Sequence, residues 1–184
     1  MNETKLPLLI GIGSRIRKSP YFDSTIKYGV TGFTIYNRMY LPTAFSGPES
    51  EYNSLINDVT FGDFAAERQV EVSGPDAYNF VRYINPRNLS KCEIGDCKYI
   101  VLIDKNGGII NDACLIRLEL NKFWISPGDG DVLLWLQGIA INSGMDVNIH
   151  EPDVSPLQIS GPKAGKLIKK LFNGIHDDLG YYKA

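Results

Sequence analysis

Asp112 is the residue whose position in the sequence is most suggestive of chemistry. It follows the double-glycine bend Gly107-Gly108, where the backbone can approach a ligand closely because neither residue has a side chain. The four residues after Asp112 are apolar, so its carboxylate would stand at the edge of an apolar strand and be partly desolvated. Aspartate also commonly caps a neighbouring turn. The position therefore predicts either the acidic wall of a binding site or a structural turn cap.

Tyr99 and Ser126 are the other two candidate site residues. Tyr99 begins the strand before the double-glycine bend and could reach the area of Asp112. A half-buried sheet tyrosine is the structural alternative. Ser126 ends a later strand, before the loop at 127–131, where a hydroxyl commonly does no more than satisfy loop backbone. The residue types alone leave both interpretations open.

Few residues are available for a metal site or for nucleophilic catalysis. The chain has two histidines, His150 and His176, and three cysteines, Cys92, Cys97 and Cys114. The spacing of Cys92 and Cys97 does not match a CxxC zinc or redox motif, and the odd number of cysteines favours free thiols. Neither a metal site nor a Ser-His-Asp triad is therefore expected.

A meander of three strands is predicted to position the candidate residues, over the segment 98–126. Asn106 and Gly107 tolerate positive φ and predict the first hairpin turn, and residues 120–122 mark the second. A well-buried helix should follow and end near Gly144, before a short strand at 145–150. The apolar residues that predict this helix are Val132, Leu133, Trp135, Leu136 and Ile139.

An internal repeat surrounds these strands. The segments VEVSGPDAYNFVRYI (70–84) and LQISGPKAGKLIKKL (157–171) match at a constant spacing of 87 residues. Each copy predicts a strand, a Ser-Gly-Pro turn and a helix with one buried stripe. Ser73 and Asp76 resemble a capping box, which Lys163 leaves incomplete in the second copy. The repeat indicates two related half-units about a local pseudo-symmetry, and a common strand–helix turn used twice is the alternative.

Size and composition describe an ordinary globular chain of 184 residues, 43% hydrophobic, with a net charge of −2. It is long enough for one core, or one core and part of another. Without a basic stripe, no nucleic-acid partner is expected. The apolar stretch at 6–13 is too short to span a bilayer and lacks the features of a good signal peptide, so no membrane partner and a cytoplasmic location are expected. Gly11 and Gly13 do not begin a dinucleotide motif, because Ile16 occupies the third glycine position.

The repeat and the double-glycine segment together resemble a known family. FGDFAAERQVEVSGPDAYNFV and KYIVLIDKNGGIINDACL are similar to the folate-dependent aminomethyltransferases of the glycine cleavage system, and the likeness covers about residues 36–172. The resemblance implies an α+β folate-binding domain with antiparallel sheets, flanking helices and an internal strand–helix repeat. It assigns residues 1–184 to the N-terminal part of that domain, with the C-terminal half of the family absent. It also implies tetrahydrofolate as the cofactor.

Other segments are similar to the branch of this family that demethylates dimethylsulfoniopropionate, namely IYNRMYLPTAF, GDGDVLLWLQG and EPDVSPLQISGPKA. Departures from the glycine-cleavage enzymes favour the same branch. Ala66 stands where those enzymes have a histidine, and Asn111 replaces the first of two adjacent aspartates. The implied reaction is methyl transfer from a sulfonium to N5 of tetrahydrofolate. Aminomethyl transfer and a non-catalytic folate-binding module are the alternatives.

The same resemblance suggests roles for the three candidates. Asp112 corresponds to the family's folate-side carboxylate, which would be the catalytic residue. Tyr99 corresponds to a tyrosine that lines the central pocket, and Ser126 to a polar residue there in the demethylase branch. Family members continue well past Ala184 with a second half that closes over the folate. The implied partners are a small-molecule methyl donor, folate, and either a complementary C-terminal half or a second copy of the chain.

Overall fold

The computed structural model describes residues 13–172 and 179–184. Within them the elements confirm the α+β class. Gly11, Ile12 and His176 lie outside the described residues. The helices are α1 (Phe22–Lys27), α2 (Pro48–Asn57), α3 (Ala77–Tyr83), α4 (Val132–Ile141) and α5 (Ala164–Leu171). The strands are β1 (Gly32–Tyr36), β2 (Met39–Ala44), β3 (Thr60–Asp63), β4 (Val70–Ser73), β5 (Cys97–Ile103), β6 (Ile109–Glu119), β7 (Lys122–Pro127), β8 (Asn148–His150) and β9 (Leu157–Ser160).

The chain divides into two compact units. The first contains the residues up to Ala66 and the segment that begins at Ser155, and the second runs from Glu67 to Val154 and includes the end of the chain. The first unit holds the antiparallel pairs β1–β2 and β3–β9, with a small buried cluster of Met39, Ala65 and Ala66. The assignment of residues 1–184 to one family domain stays a prediction.

The second unit is built on a five-stranded antiparallel sheet in the order β5-β6-β7-β4-β8. Strands β5, β6 and β7 confirm the predicted meander. Gly107 has a φ of +83° in the first turn, and the second turn lies between Glu119 and Lys122. The short strand predicted at 145–150 is β8. The turn chemistry of the sequence was therefore enough to set this part of the topology.

The core of the second unit lies on one face of this sheet. Alternation along the strands sends Ile100, Leu115 and Ile125 to that face, where they join Phe80 of α3 and Leu136 of α4 in one buried cluster. All five side chains are at most 1% exposed. A side chain of this size stabilises the fold by about 1.5–3 kcal/mol when fully buried, so the register of the sheet is strongly specified.

Both copies of the repeat form the predicted strand, turn and helix, as β4–α3 and β9–α5. The turn glycines, Gly74 and Gly161, have φ values of +123° and +120°. Each turn packs against the backbone that enters a neighbouring strand, β8 in the second unit and β3 in the first. Those strands each follow a helix, α4 and α2. The structural repeat therefore includes more elements than the sequence repeat. The pairs α4–β8 and α2–β3 are arranged alike around the two turns, although their sequences share no motif.

The predicted capping box is wrong. Helix α3 begins at Ala77 without a side-chain cap, and the Asp76 carboxylate instead accepts a hydrogen bond from the Asp146 backbone N–H at 2.9 Å. In the second copy, Lys163 takes the place of Asp76 and pairs with the carboxylate of Asp58. The side chain before each helix thus bonds to a segment that is distant in the chain. In the first copy, Asp76 makes this bond instead of capping the N-terminus of α3.

Two helices are less buried than predicted. The stripe of α3 is buried, but α5 has no buried residue and Leu171 is 56% exposed, since only the two-stranded β3–β9 sheet belongs to its half of the repeat. In α4, Val132 and Leu136 are buried, whereas Trp135 is 36% exposed. The α4 sequence is apolar around most of its circumference, so its pattern could not show which face is covered.

Asp96 anchors the end of the chain to the start of β5. Its carboxylate is buried, accepts a hydrogen bond from the Glu93 backbone N–H at 3.1 Å, and pairs with Lys98 at 3.1 Å and with Lys183. The hydrogen bond from Lys183, followed by those from Glu93 and Lys98, holds the pKa of Asp96 well below its ordinary value of 3.8.

The substitution Asp96→Asn is expected to make the free energy of unfolding decrease less steeply as the pH falls. A carboxyl with a depressed folded-state pKa contributes stability above its unfolded pKa, near 3.8, and that contribution is lost as pH falls towards the folded value. Urea unfolding between neutral pH and about pH 3 should show a steeper fall in the wild type than in the variant. The exposed Glu119→Gln serves as the matched control, and an unchanged slope in Asp96→Asn would contradict the prediction.

Candidate functional site

The three candidate residues lie on the sheet face opposite the core of the second unit. Registered pairs across β5, β6, β7 place Tyr99 beside Cys114 and Cys114 beside Ser126. Antiparallel partners project to the same face, as do residues two positions apart in one strand, so Asp112 shares this face with Cys114. The sheet therefore brings Tyr99, Asp112 and Ser126 to one surface, which we call the outer face.

Tyr99 and Asp112 are in direct contact. The Tyr99 hydroxyl donates a hydrogen bond to Asp112 Oδ2 at 2.7 Å, and this bond is the main cause of a raised pKa at Tyr99. Tyr99 is 45% exposed and Asp112 is exposed, so the expected partial desolvation of the carboxylate is wrong for the part of the chain that the structure describes. The pair offers an aromatic ring and a carboxylate at one open position on the sheet.

Asp112 is not the cap of the double-glycine bend. That role belongs to Asp104, whose Oδ1 accepts hydrogen bonds from the backbone N–H groups of Asn106 and Gly108, both at 2.8 Å. Asn111, on the opposite side of the strand from Asp112, donates from Nδ2 to the Asp129 carbonyl at 2.6 Å. Asp104 thus stabilises the turn, and Asn111 holds the loop that contains Asp129. The Asp112 carboxylate takes part in neither interaction and accepts its hydrogen bond from Tyr99.

Ser126 does not touch the other two candidates. Its Oγ accepts a hydrogen bond from Gln69 Nε2 at 3.0 Å, and Cys114 stands between Ser126 and Tyr99 in the registered row. Gln69 is 5% exposed and precedes β4. Sequence reasoning missed both Gln69 and Cys114, although the strand register, once assigned, would have placed Cys114 in this row.

A buried acidic residue lies further along the same face. Glu71 is 8% exposed and accepts a hydrogen bond from Trp124 Nε1 at 2.9 Å. Lys122 Nζ lies 3.5 Å from its carboxylate and His150 Nε2 lies 4.0 Å away. Sequence reasoning missed Glu71 as well, and the available signal was a charged residue between two valines of a buried strand. The outer face therefore carries a second acidic group, beside apolar residues such as Ile116 and Trp124.

The three cysteine thiols are expected to react slowly in the folded chain. Burial raises the pKa of Cys92 and of Cys97, and burial together with the nearby Cys97 raises that of Cys114 to about 11. Since the thiolate is the reactive form, iodoacetamide at neutral pH should modify them far more slowly than in urea, as followed by mass spectrometry. Rapid native labelling of Cys114 would contradict these assignments.

Two classes of feature are missing from the described residues. Residues 13–172 and 179–184 contain no cluster of three or more histidine, cysteine or acidic side chains that could hold a metal ion. In the same part of the chain, no helix is both long enough and apolar enough to cross a bilayer.

Comparison with known proteins gives the family. The model of the GCVT N-terminal domain matches residues 21–184. The chain belongs to this family. It is 38% identical over 169 residues to dimethylsulfoniopropionate demethylase DmdA of Ruegeria pomeroyi, covering 92% of this chain and 46% of that protein. It is 30% identical over 173 residues to an aminomethyltransferase of Corynebacterium aurimucosum, covering 90% and 46%.

A solved structure confirms the fold. The glycine cleavage system aminomethyltransferase T of Bartonella henselae superposes with a TM-score of 0.81 at 20% sequence identity, over 91% of this chain and 46% of that one. At this identity the likeness concerns the fold alone. The GCVT chain described here thus spans about half the length of the relatives that it matches.

Proposed function

We propose that this GCVT chain is part of a tetrahydrofolate-dependent methyltransferase that moves a methyl group from a sulfonium, such as dimethylsulfoniopropionate, to N5 of tetrahydrofolate. Members of the family use tetrahydrofolate as a substrate or cofactor. The observation that carries the proposal is the Tyr99–Asp112 pair, which the family resemblance assigned to the folate pocket and which forms a 2.7 Å hydrogen bond on an open sheet face.

The chemistry of this reaction suits the residues on the outer face. The N5 lone pair attacks the methyl carbon, the carbon–sulfur bond breaks, and the sulfur leaves as a neutral thioether with the bonding electrons. N5 then releases its proton to solvent water, which leaves neutral methyltetrahydrofolate. A sulfonium is already a good methyl donor, so no nucleophilic side chain is required. The protein has to align the reactants and exclude water, which supplies about 7–11 kcal/mol in the best intramolecular cases.

Asp112 and Tyr99 provide the charge complementarity that a sulfonium or a protonated N5 needs. An aromatic ring attracts an organic cation by about 0.5–2 kcal/mol, and the adjacent carboxylate adds a fixed negative charge. In this proposal Asp112 is the catalytic residue, Tyr99 holds its carboxylate in place, and Ser126 contacts the folate. The remaining family length would supply a complementary half that closes the site.

Aminomethyl transfer is the competing reaction, and two observations weigh against it. Ala66, where the glycine-cleavage enzymes have a histidine, is 1% exposed and packed in the cluster with Met39, so no polar side chain is available at that position. The residue at 126 is a serine, which the family resemblance matches to a polar residue of the demethylase branch, and it accepts a hydrogen bond from Gln69. A non-catalytic folate-binding module would bind folate without transferring a methyl group.

One set of measurements separates these readings. The chain is assayed alone and together with the C-terminal half of the Ruegeria pomeroyi demethylase, the part beyond the matched region. Calorimetry measures tetrahydrofolate binding, and chromatography measures methyltetrahydrofolate formed from dimethylsulfoniopropionate. An aminomethyl-loaded carrier protein is offered in parallel. Methyl transfer from the sulfonium supports the proposal; turnover of the carrier alone, or binding without either reaction, overturns it.

A further inference from the structure

Gln69 is a buried amide whose nitrogen bonds Ser126 and whose oxygen has no partner among the residues that the structure describes. It is 5% exposed, and both hydrogens of its amide are used: Nε2 donates to the Glu67 carbonyl at 3.2 Å and to Ser126 Oγ at 3.0 Å. Its Oε1 is fully buried and has no hydrogen-bond partner among the residues that the structure describes. An unsatisfied buried acceptor is costly, so a side chain that retains one calls for an explanation.

The orientation of this amide is fixed by its neighbours. Exchanging the nitrogen and oxygen would place two carbonyl oxygens, those of Gln69 and Glu67, about 3.2 Å apart with no hydrogen between them. Nε2 must therefore face Glu67, and the same nitrogen must be the donor towards Ser126. The orphan oxygen is a consequence of this arrangement and cannot be removed by turning the amide.

The donor role of Gln69 determines what Ser126 can do. A serine hydroxyl has one hydrogen to donate, and its oxygen already accepts from Gln69. Within the described residues, Ser126 donates to no acceptor. Its hydrogen is thus left for a group outside this pair, so Ser126 can donate to an acceptor atom of a ligand, while the second lone pair of its oxygen stays available.

We propose that Gln69 is a positioning residue that sets Ser126 as a hydrogen-bond donor to an acceptor atom of the bound folate. This inference rests on the proposed function, since it takes tetrahydrofolate as the ligand of the outer face. It assigns a direction to the Ser126 contact that the family resemblance leaves open. It also explains why an amide with an orphan oxygen occupies a site where an apolar side chain would be simpler to bury.

A double-mutant cycle tests the inference in whichever form of the protein, alone or complemented, binds tetrahydrofolate. In the wild type, Ser126→Ala should weaken tetrahydrofolate binding about tenfold, measured by calorimetry. Gln69→Glu replaces the donor by an acceptor that captures the Ser126 hydrogen. In that background Ser126→Ala should change the dissociation constant little. An equal tenfold loss in both backgrounds would show that Gln69 does not direct Ser126.

Gln69→Met gives a second readout that a structural role would not produce. Methionine removes the orphan oxygen together with the two bonds donated by Nε2, so these effects oppose each other and the melting temperature should change little while tetrahydrofolate affinity falls. The same cycle can be run with this variant if Gln69→Glu does not fold. A clear drop in melting temperature with unchanged affinity would make Gln69 structural. If the wild type binds no tetrahydrofolate in either form, both the proposed function and this inference fail. If the wild type binds tetrahydrofolate but the effects of the Gln69 and Ser126 substitutions on the dissociation constant simply add, only this inference fails.

Discussion

The substitution Asp112→Asn is expected to slow methyl transfer by roughly 10²–10³-fold and to leave the fold intact. The carboxylate is exposed and is not needed by the double-glycine bend, which Asp104 holds, so its loss should not disturb the sheet. An asparagine can still accept the Tyr99 hydrogen bond but carries no charge for the cationic centre that forms during transfer. The measurement is the rate of methyltetrahydrofolate formation at saturating substrates, with circular dichroism as the check on folding.

Two companion variants make the Asp112 result specific. Glu119→Gln removes an acid from the same strand, where its side chain is 70% exposed and lies 3.8 Å from Lys122, and it should keep the wild-type rate. Tyr99→Phe keeps the carboxylate but removes the donor that holds it, so its effect should be smaller than that of Asp112→Asn. Because the hydrogen bond to Asp112 is the main cause of the raised Tyr99 pKa, that pKa should move back towards 10.0 in Asp112→Asn. An unchanged rate in Asp112→Asn would remove this residue from the site.

The sequence was informative where a local interaction decides the structure. Asn106 and Gly107 set the first hairpin, and the constant 87-residue spacing of the repeat gave two strand–turn–helix units that the structure contains. These features depend on backbone conformation and on apolar periodicity over a few residues, so they can be read without knowing what packs against them. The Tyr99–Asp112 contact also depends only on the register of one hairpin, the β5–β6 pair.

The sequence was uninformative where the partner is distant in the chain. Asp76 could cap its own helix, yet it bonds to the backbone of Asp146, and nothing near either residue indicates this. Gln69 was invisible as a site residue because its significance depends on Ser126, which lies 57 positions away. The exposed face of α4 could not be predicted for the same reason. The sequence of an apolar helix does not show which of its sides another element will cover. Local pattern thus gave the elements, and long-range contacts assigned their roles.

The substitution Gly74→Ala is expected to destabilise the second unit by about 3 kcal/mol or more, since two independent penalties act at this position. Gly74 has a φ of +123°, which an alanine adopts only with strain. An added Cβ would also stand 2.7 Å from the Asp146 carbonyl oxygen, a backbone atom that cannot rotate away. Gly161 repeats both features, with a φ of +120° and a Cβ position 2.6 Å from the Asp58 carbonyl oxygen, so Gly161→Ala should have a similar effect in the first unit.

Two other glycines separate the penalties within the same chain. Gly107 has a φ of +83° but no atom within 4 Å of an added Cβ, so Gly107→Ala should incur the backbone strain alone, about 1–3 kcal/mol. Gly138 lies inside α4 with open space around it and no positive φ, and Gly138→Ala should stabilise the chain by about 0.5–1 kcal/mol. Urea unfolding should therefore rank the free energies of unfolding as Gly138→Ala above wild type, then Gly107→Ala, then Gly74→Ala. If Gly74→Ala unfolds no more easily than Gly107→Ala, the contact with Asp146 does not constrain the turn. The close approach of each turn glycine to a backbone carbonyl would then not explain why both repeat copies have glycine there.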